Sequence, residues 1–350
     1  MMHRRGLFFM LFLVLYKIAY LVIYSNLRVA GIAPGFLASL WFQMFFQITA
    51  LLLPLAIWLA FFRERVNQHL PHMRLGKTNL LYIAGLSIFL QPVLMIISGL
   101  TNLIFPNEIA QFVMGQVEYP FWVLILVVAI TPAICEEVVF RGYIQSTFKG
   151  KPFWIAALIN GLLFAIFHFN AHQFFFTFFA GIFFAYIVHA TRSIRAAVIS
   201  HFILNASQVT IMWILMNMPV EEEYYPGDIY FDAPPEIADP AIIGAIVFII
   251  LFAFILIGSS VVSIYLFRGF VRHNKKRVDD YNAKTEAEES SEHAGELGEA
   301  AETEETAEEP EAPEASAPAN ETPAEKRKNF FVDGAIILAI VAVYVFIIFA

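Results

Sequence analysis

The chain has 350 residues, of which 59% are hydrophobic and 37 are phenylalanine, and its mean hydropathy is +0.67. A soluble domain is roughly 45–50% apolar, so this composition excludes an ordinary water-soluble enzyme and points to lipid as the solvent. The net charge of −8 misleads: residues 278–325 hold 17 of the 30 acids and one of the 22 Lys and Arg, which leaves a basic body of 13 acids against 21 bases.

A membrane-crossing helix needs about 20 mainly apolar residues. Candidate spans lie at 7–24, 36–62, 79–105, 120–147, 152–170, 173–190, 196–217, 240–267 and 331–350. The first has no small-residue cleavage site after it and reads as a retained helix, not a signal peptide. Bases sit before the first span and after the second, fourth, sixth and eighth, whereas loops 106–119 and 217–239 contain no Lys or Arg. The positive-inside rule then puts the N-terminus in the cytoplasm, with Arg28 the one exception. The lone Cys135 forms no internal disulfide.

Beyond the eighth span, RGFVRHNKKR (268–277) reads as a juxtamembrane anchor for anionic headgroups. The Glu-, Ala- and Pro-rich segment after it lacks the apolar surface needed to offset ordering, and disorder is expected there. The tail serves as a solvated spacer or recruits a protein partner, the spacer being preferred. The terminal run AIILAIVAVYVFIIFA, short at 16 residues, is read as a span, with an interfacial helix as the alternative. The predicted fold is an all-α, polytopic transmembrane helix bundle of about eight or nine spans with a disordered acidic tail. Its parts are N-terminal helices (1–78), a core (79–217), a loop with a further span and basic segment (218–277), the tail (278–328) and a C-terminal hydrophobic helix (329–350).

Charge inside a span costs about 2.5–3.5 kcal/mol at the helix centre even on the lenient insertion scale. The only carboxylates well inside a predicted span are Glu136 and Glu137, in CEEVVFRGYI (135–144). On a helix, Glu137 and Arg141 are four apart and can pair, while Glu136 points about 100° away. Pro132 precedes Glu136 by four and deprives the Val128 carbonyl of its usual donor, which suggests a kink and a cavity beside the glutamates. Lys17 reads as a snorkelling residue, and Asp333 as a span-end one. GLLFAIFHFNAH offers Phe164, His168 and His172, with His172 expected beyond the helix in an Asn-Ala turn; HFILN sets His201 and Asn205 on one face. His189 reads as an ordinary interfacial residue. Hydrolysis of a peptide bond needs a base for water and donors for an oxyanion, and these residue types supply both.

The ordered set EE-x3-R (Glu136, Glu137, Arg141), F-x3-H (Phe164, His168) and H-x3-N (His201, Asn205) resembles the CPBP family of intramembrane proteases. That family includes CAAX prenyl proteases of the Ras-converting-enzyme type and bacteriocin-processing or immunity proteins. The resemblance covers about residues 80–215 and implies the following roles. Glu136 activates water with help from His168, His201 and Asn205 form the oxyanion site, and Glu137 with Arg141 holds the constellation. The implied substrate is a membrane-associated, prenylated or otherwise anchored protein or peptide. Membrane lipid is the other expected partner, and nucleic acid is not expected. The implied location is the plasma membrane of a bacterium, with the tail cytoplasmic. No cofactor is favoured; zinc or another divalent metal on Glu and His is the alternative, although no HExxH occurs.

Two other functions compete with hydrolysis: a non-proteolytic scaffold or immunity protein, and, less favoured, a proton-coupled transporter. One geometric requirement is severe. His201 falls near the cytoplasmic end of its span and His168 near the outer end, so upright, full-length helices keep them apart.

Overall fold

The computed structural model describes residues 2–116, 118–149, 151–218, 240–304, 336–338 and 340–342. Among the described residues eight helices build the bundle: α1 (Met2–Val29), α2 (Leu40–Phe62), α3 (Lys77–Asn102), α4 (Phe121–Ile144), α5 (Phe153–Phe167), α6 (Ala171–Thr191), α7 (Ile194–Met216) and α8 (Pro240–Glu304). Seven are long and apolar enough to cross a membrane; α5, with 15 residues, is not. Of the last predicted span, Ile336, Ile337, Ile340 and Val341 pack against α1, α2, α4 and α5. The rest of that span, Asp333 and the loop from 219 to 239 lie outside the described residues.

α4 is the centre of the bundle. In its span 67% of residues are buried, against at most 50% in the other six. Its inner turns contact α1 and α5 through Val139, Phe140 and Ile144, and its outer turns contact α2 and α7 through Val123, Leu124 and Val127. α8 is at the opposite extreme: only 6% of its span is buried. It leans on α3 and α6 through Leu266 and Phe270, and a reciprocal amide pair, Asn79 with Asn274 at 2.8 and 3.1 Å, joins it to α3. α8 continues to Glu304, into the segment whose composition argued against order. Ala, Glu and Lys are strong helix formers, and backbone hydrogen bonds within a helix require no burial. Residues 305–328 of the predicted tail lie outside the described residues.

The basic loops gather at one end of the bundle. Arg5 bonds Glu64 (2.7 Å), Glu64 faces His69 (3.0 Å), His69 bonds Ser146 (2.7 Å), Met73 donates to the Arg192 carbonyl (3.0 Å), and Arg277 to that of Thr191 (3.2 Å). One end therefore carries the turns after α2, α4 and α6, as the charge pattern requires.

His69 lies in the loop between α2 and α3, and burial lowers its pKa below the usual value despite the opposing pull of Glu64. A depressed pKa in the fold means that the unfolded chain binds the proton more readily. The stability it contributes is present above about pH 6.5, the ordinary histidine value, and is lost as pH falls through the lower folded value. From pH 8 to pH 5, the melting temperature of the native protein is expected to fall further than that of His69→Gln; parallel curves would refute this.

Candidate active site

α4 carries the two glutamates in a short α-helical stretch, Thr131–Glu137, between two π-helical stretches, Ile125–Ile130 and Val138–Ile144. Such widened turns recur at functional sites. Here they coincide with Pro132, which donates no hydrogen bond to the Val128 carbonyl. The Asn205 side-chain N–H takes that place, donating to Val128 O at 3.1 Å. Val128, Pro132 and Glu136, each four apart, line one cavity of about 390 Å³.

The two carboxylates have different surroundings. Glu137 is fully buried; its Oε1 accepts from Arg141 at 3.0 Å and from His201 Nδ1 at 2.8 Å. Arg141, equally buried, also donates to the Gly181 carbonyl at 3.1 Å, and its guanidinium lies 4.2 Å from the centre of the Phe164 ring and 5.1 Å from that of Phe184. Glu136 faces the cavity, and its buried Oε2 takes no hydrogen bond among the described residues.

Two imidazoles flank that oxygen. His168 Nε2 lies 4.0 Å from it and His201 Nε2 lies 3.9 Å. These distances are too long for direct hydrogen bonds, yet one water can bridge them. In both rings Nδ1 is already committed. His168 Nδ1 is 2.8 Å from the Phe164 carbonyl, an obligate acceptor, so Nδ1 carries the proton and the neutral ring presents an Nε2 lone pair to the cavity. His201 is set by Glu137 on one side and by Phe184 stacked on its face, with 4.9 Å between ring centres. Phe164 meets Arg141, His168 and His201 with its ring, which explains physically why a phenylalanine sits four residues before His168.

The depth problem is resolved by α5. Fifteen residues rise ~22 Å, short of the ~30 Å hydrocarbon core, so the helix ends inside the bundle and presents His168 there. Phe169, with φ of 51°, closes the turn in the left-handed region and Asn170 caps α6. α5 and α6 then lie back to back through glycines: a Cβ on Gly181 would meet Gly161 Cα at 2.8 Å, and one on Gly161 would meet the Phe178 carbonyl at 2.8 Å. This contact lets Arg141 reach the Gly181 carbonyl.

The cavity thus collects Glu136, His168, His201 and Asn205, while Glu137 and Arg141 stand behind its wall. Two expectations need correction. His172 does lie beyond α5, but within α6 and not in a turn: it is buried in the first turn of that helix, which Asn170 caps and which begins at Ala171, two residues before the predicted span. His189, in the last turn of α6, stacks on Phe153 with 4.0 Å between ring centres, which leaves its reading as an interfacial residue unchanged. Lys17 does not snorkel: it is buried on the cavity wall, donating from Nζ to the Phe167 carbonyl at 2.5 Å. The signal was its position in the middle of an apolar run, where a cation is costly. Gln173, Thr177 and Gln208 also line the cavity; nothing in their spacing distinguished them from other polar residues at helix surfaces.

Among the described residues, no three His, Cys, Asp or Glu side chains are grouped as a metal site requires. Comparison with curated proteins and with solved structures returned no match. Residues 118–207, about a quarter of the chain, match the model of the family described as type II CAAX prenyl endopeptidase Rce1-like; this segment runs from just before α4 into α7, carries both glutamates, Arg141, His168, His201 and Asn205, and its similarity supports membership of the CPBP family of intramembrane proteases.

Proposed function

We propose that the protein is an intramembrane endopeptidase in which Glu136 activates water against a peptide bond of a membrane-anchored, prenylated or otherwise lipid-attached substrate. The observation that carries this reading is the buried, unbonded Glu136 Oε2 between two imidazole Nε2 atoms on one cavity. A water held between Glu136 and His168 gives one proton to Glu136 and directs its second hydrogen to the His168 lone pair. The oxygen left behind bonds to the substrate carbonyl carbon, and the carbonyl electron pair moves onto its oxygen.

That oxyanion needs donors in a water-poor site. Asn205 spends one amide N–H on Val128 and has a second for the oxyanion. His201, held through Nδ1 by Glu137, turns its Nε2 toward the same position. As the tetrahedral adduct collapses, the C–N bond breaks and Glu136 returns its proton to the leaving amine. Arg141 pairs with Glu137 and fixes its carboxylate, and so orients His201. No step passes through a metal. The bundle end that gathers the basic loops faces the cytoplasm on the positive-inside rule.

The test uses the purified full chain in liposomes with a lipid-anchored peptide. Hydrolysis is expected in the presence of EDTA, and His168→Ala is expected to slow it by about 10²-fold or more, the lower range for a group assisting proton transfer. Failure to cleave would overturn the peptidase reading. Loss of activity in chelator would overturn the metal-free step, and full activity of His168→Ala would overturn the role of His168.

A further inference from the structure

The basic run RGFVRHNKKR (268–277) of α8 takes no part in hydrolysis. Residues 273, 276, 277 and 280 recur at helical spacing and share one face of that helix. With the start of α3 they enclose an open cavity of about 490 Å³, separate from the one that holds Glu136. Asn79 of α3 lines it, together with His273, Asn274, Lys276, Arg277 and Asp280 of α8. Arg272 and Lys275, exposed on the same turns, do not.

Donors are in excess here. Asn79 and Asn274, 1% and 2% exposed, form the floor and pair with each other, and Asn274 also donates to the Phe270 carbonyl at 2.9 Å. Asn79 keeps one amide N–H beyond that pair. Arg277 spends one N–H on the Thr191 carbonyl at 3.2 Å, and among the described residues Lys276 makes no hydrogen bond or ion pair. Asp280 pairs with neither cation. An exposed lysine by itself needs no anion. A cavity with a buried amide at its floor and an ammonium and a guanidinium on its wall has the donors that a phosphate group takes. The positive end of α3, whose N-cap Gly76 has no side chain to accept from the first amides, adds to the same sign.

We propose that this cavity binds one phosphate group, with Lys276 and Arg277 against its oxygens and the Asn79 amide beneath, and that the bound group clamps α8 to α3. The site stands apart from the peptidase reading. It lies just past Phe267, where the apolar run ends, at the bundle end that gathers the basic loops. An anionic lipid headgroup reaches such a place from the membrane, and a soluble phosphate compound reaches it from the water. The volume suits either. A clamp acts where the fold is weakest, since only 6% of the α8 span is buried.

The experiment follows thermal unfolding of the full chain in dodecyl maltoside, a phosphate-free detergent. One arm compares added phosphatidylglycerol with phosphatidylcholine; the other compares inorganic phosphate with sodium chloride at equal ionic strength. A rise in melting temperature of at least about 3 °C is expected, within reach of a ligand in large excess over its Kd. A rise in the lipid arm alone assigns the site to a headgroup, one in the phosphate arm alone to a soluble compound, and a rise in both to the phosphate group itself. Lys276→Gln/Arg277→Gln should lose the shift, read against its own melting temperature without ligand. Lys276→Gln, which breaks no bond of the fold, should lose much of it. Arg272→Gln/Lys275→Gln removes the same charge from the same run and should keep it. No shift in either arm overturns the proposal, as does a shift that survives in Lys276→Gln/Arg277→Gln. Equal loss in Arg272→Gln/Lys275→Gln overturns it too, because charge spread along the helix, not the cavity, would then hold the anion.

Discussion

Glu136→Gln is expected to lower the rate of peptide hydrolysis by about 10²- to 10⁴-fold, the range for loss of a positioned general base, while substrate binding stays within a fewfold of native. Glutamine keeps the shape and hydrogen-bonding capacity of the side chain but cannot take a proton from water. The fall should therefore appear in kcat and leave KM nearly unchanged, the signature of an interaction used only in the transition state. Glu137→Gln leaves the facing base intact but removes the ionic partner of Arg141 and His201, and it should damage folding as well as turnover. A Glu136→Gln variant with native kcat would remove the basis of the mechanism. Equal kcat losses in both variants with no loss of stability in either would refute the division between a reacting and a supporting glutamate.

Arg141→Met is expected to carry the largest cost in stability, about 3–5 kcal/mol, the price of leaving a buried charge without its partner. Glu137 is fully buried and loses its guanidinium, the Gly181 carbonyl loses a donor, and the Phe164 and Phe184 rings lose the cation between them. Arg141→Lys is not a conservative change, because one ammonium cannot span the Glu137 carboxylate and the Gly181 carbonyl with the planar fork they face. In the double variant Glu137→Gln/Arg141→Met, part of the stability should return, since no isolated charge remains, whereas activity should not, since His201 has lost its anionic acceptor. Thermal unfolding in detergent measures the first, and peptide turnover the second. An Arg141→Met protein as stable as the native one would mean that the pair contributes nothing to the fold.

Much of the site was legible from spacing. Glu137 and Arg141 are four apart, and their bond at 3.0 Å follows from helical geometry. Pro132 announced an undersatisfied Val128 carbonyl, although which side chain would answer it was open; Asn205 comes from a helix more than seventy residues further on. The convergence of His168 and His201 was not legible, because it depends on α5 stopping short of a full crossing. An apolar run extends past Phe167, and hydropathy alone continues the helix where Asn170 begins the next one. Lys17 was misjudged for a similar reason. Whether a lysine in an apolar run reaches the interface or turns into a cavity depends on its neighbours, which α5 and the turn after it supply.

The sequence by itself determined the solvent, the number and order of most spans, the clustering of basic loops and the identity of the polar residues, because each follows from local composition and the cost of charge in hydrocarbon. Only the tertiary structure decided which of those residues share a cavity, which carboxylate stays unbonded, and where the second buried cation sits. Those facts come from packing between helices distant in the chain: the glycine contact of α5 with α6, the central place of α4, and the reach of α1 to the end of α5. A bundle places its helices by fitting surfaces together, and no single helix carries that information in its own sequence.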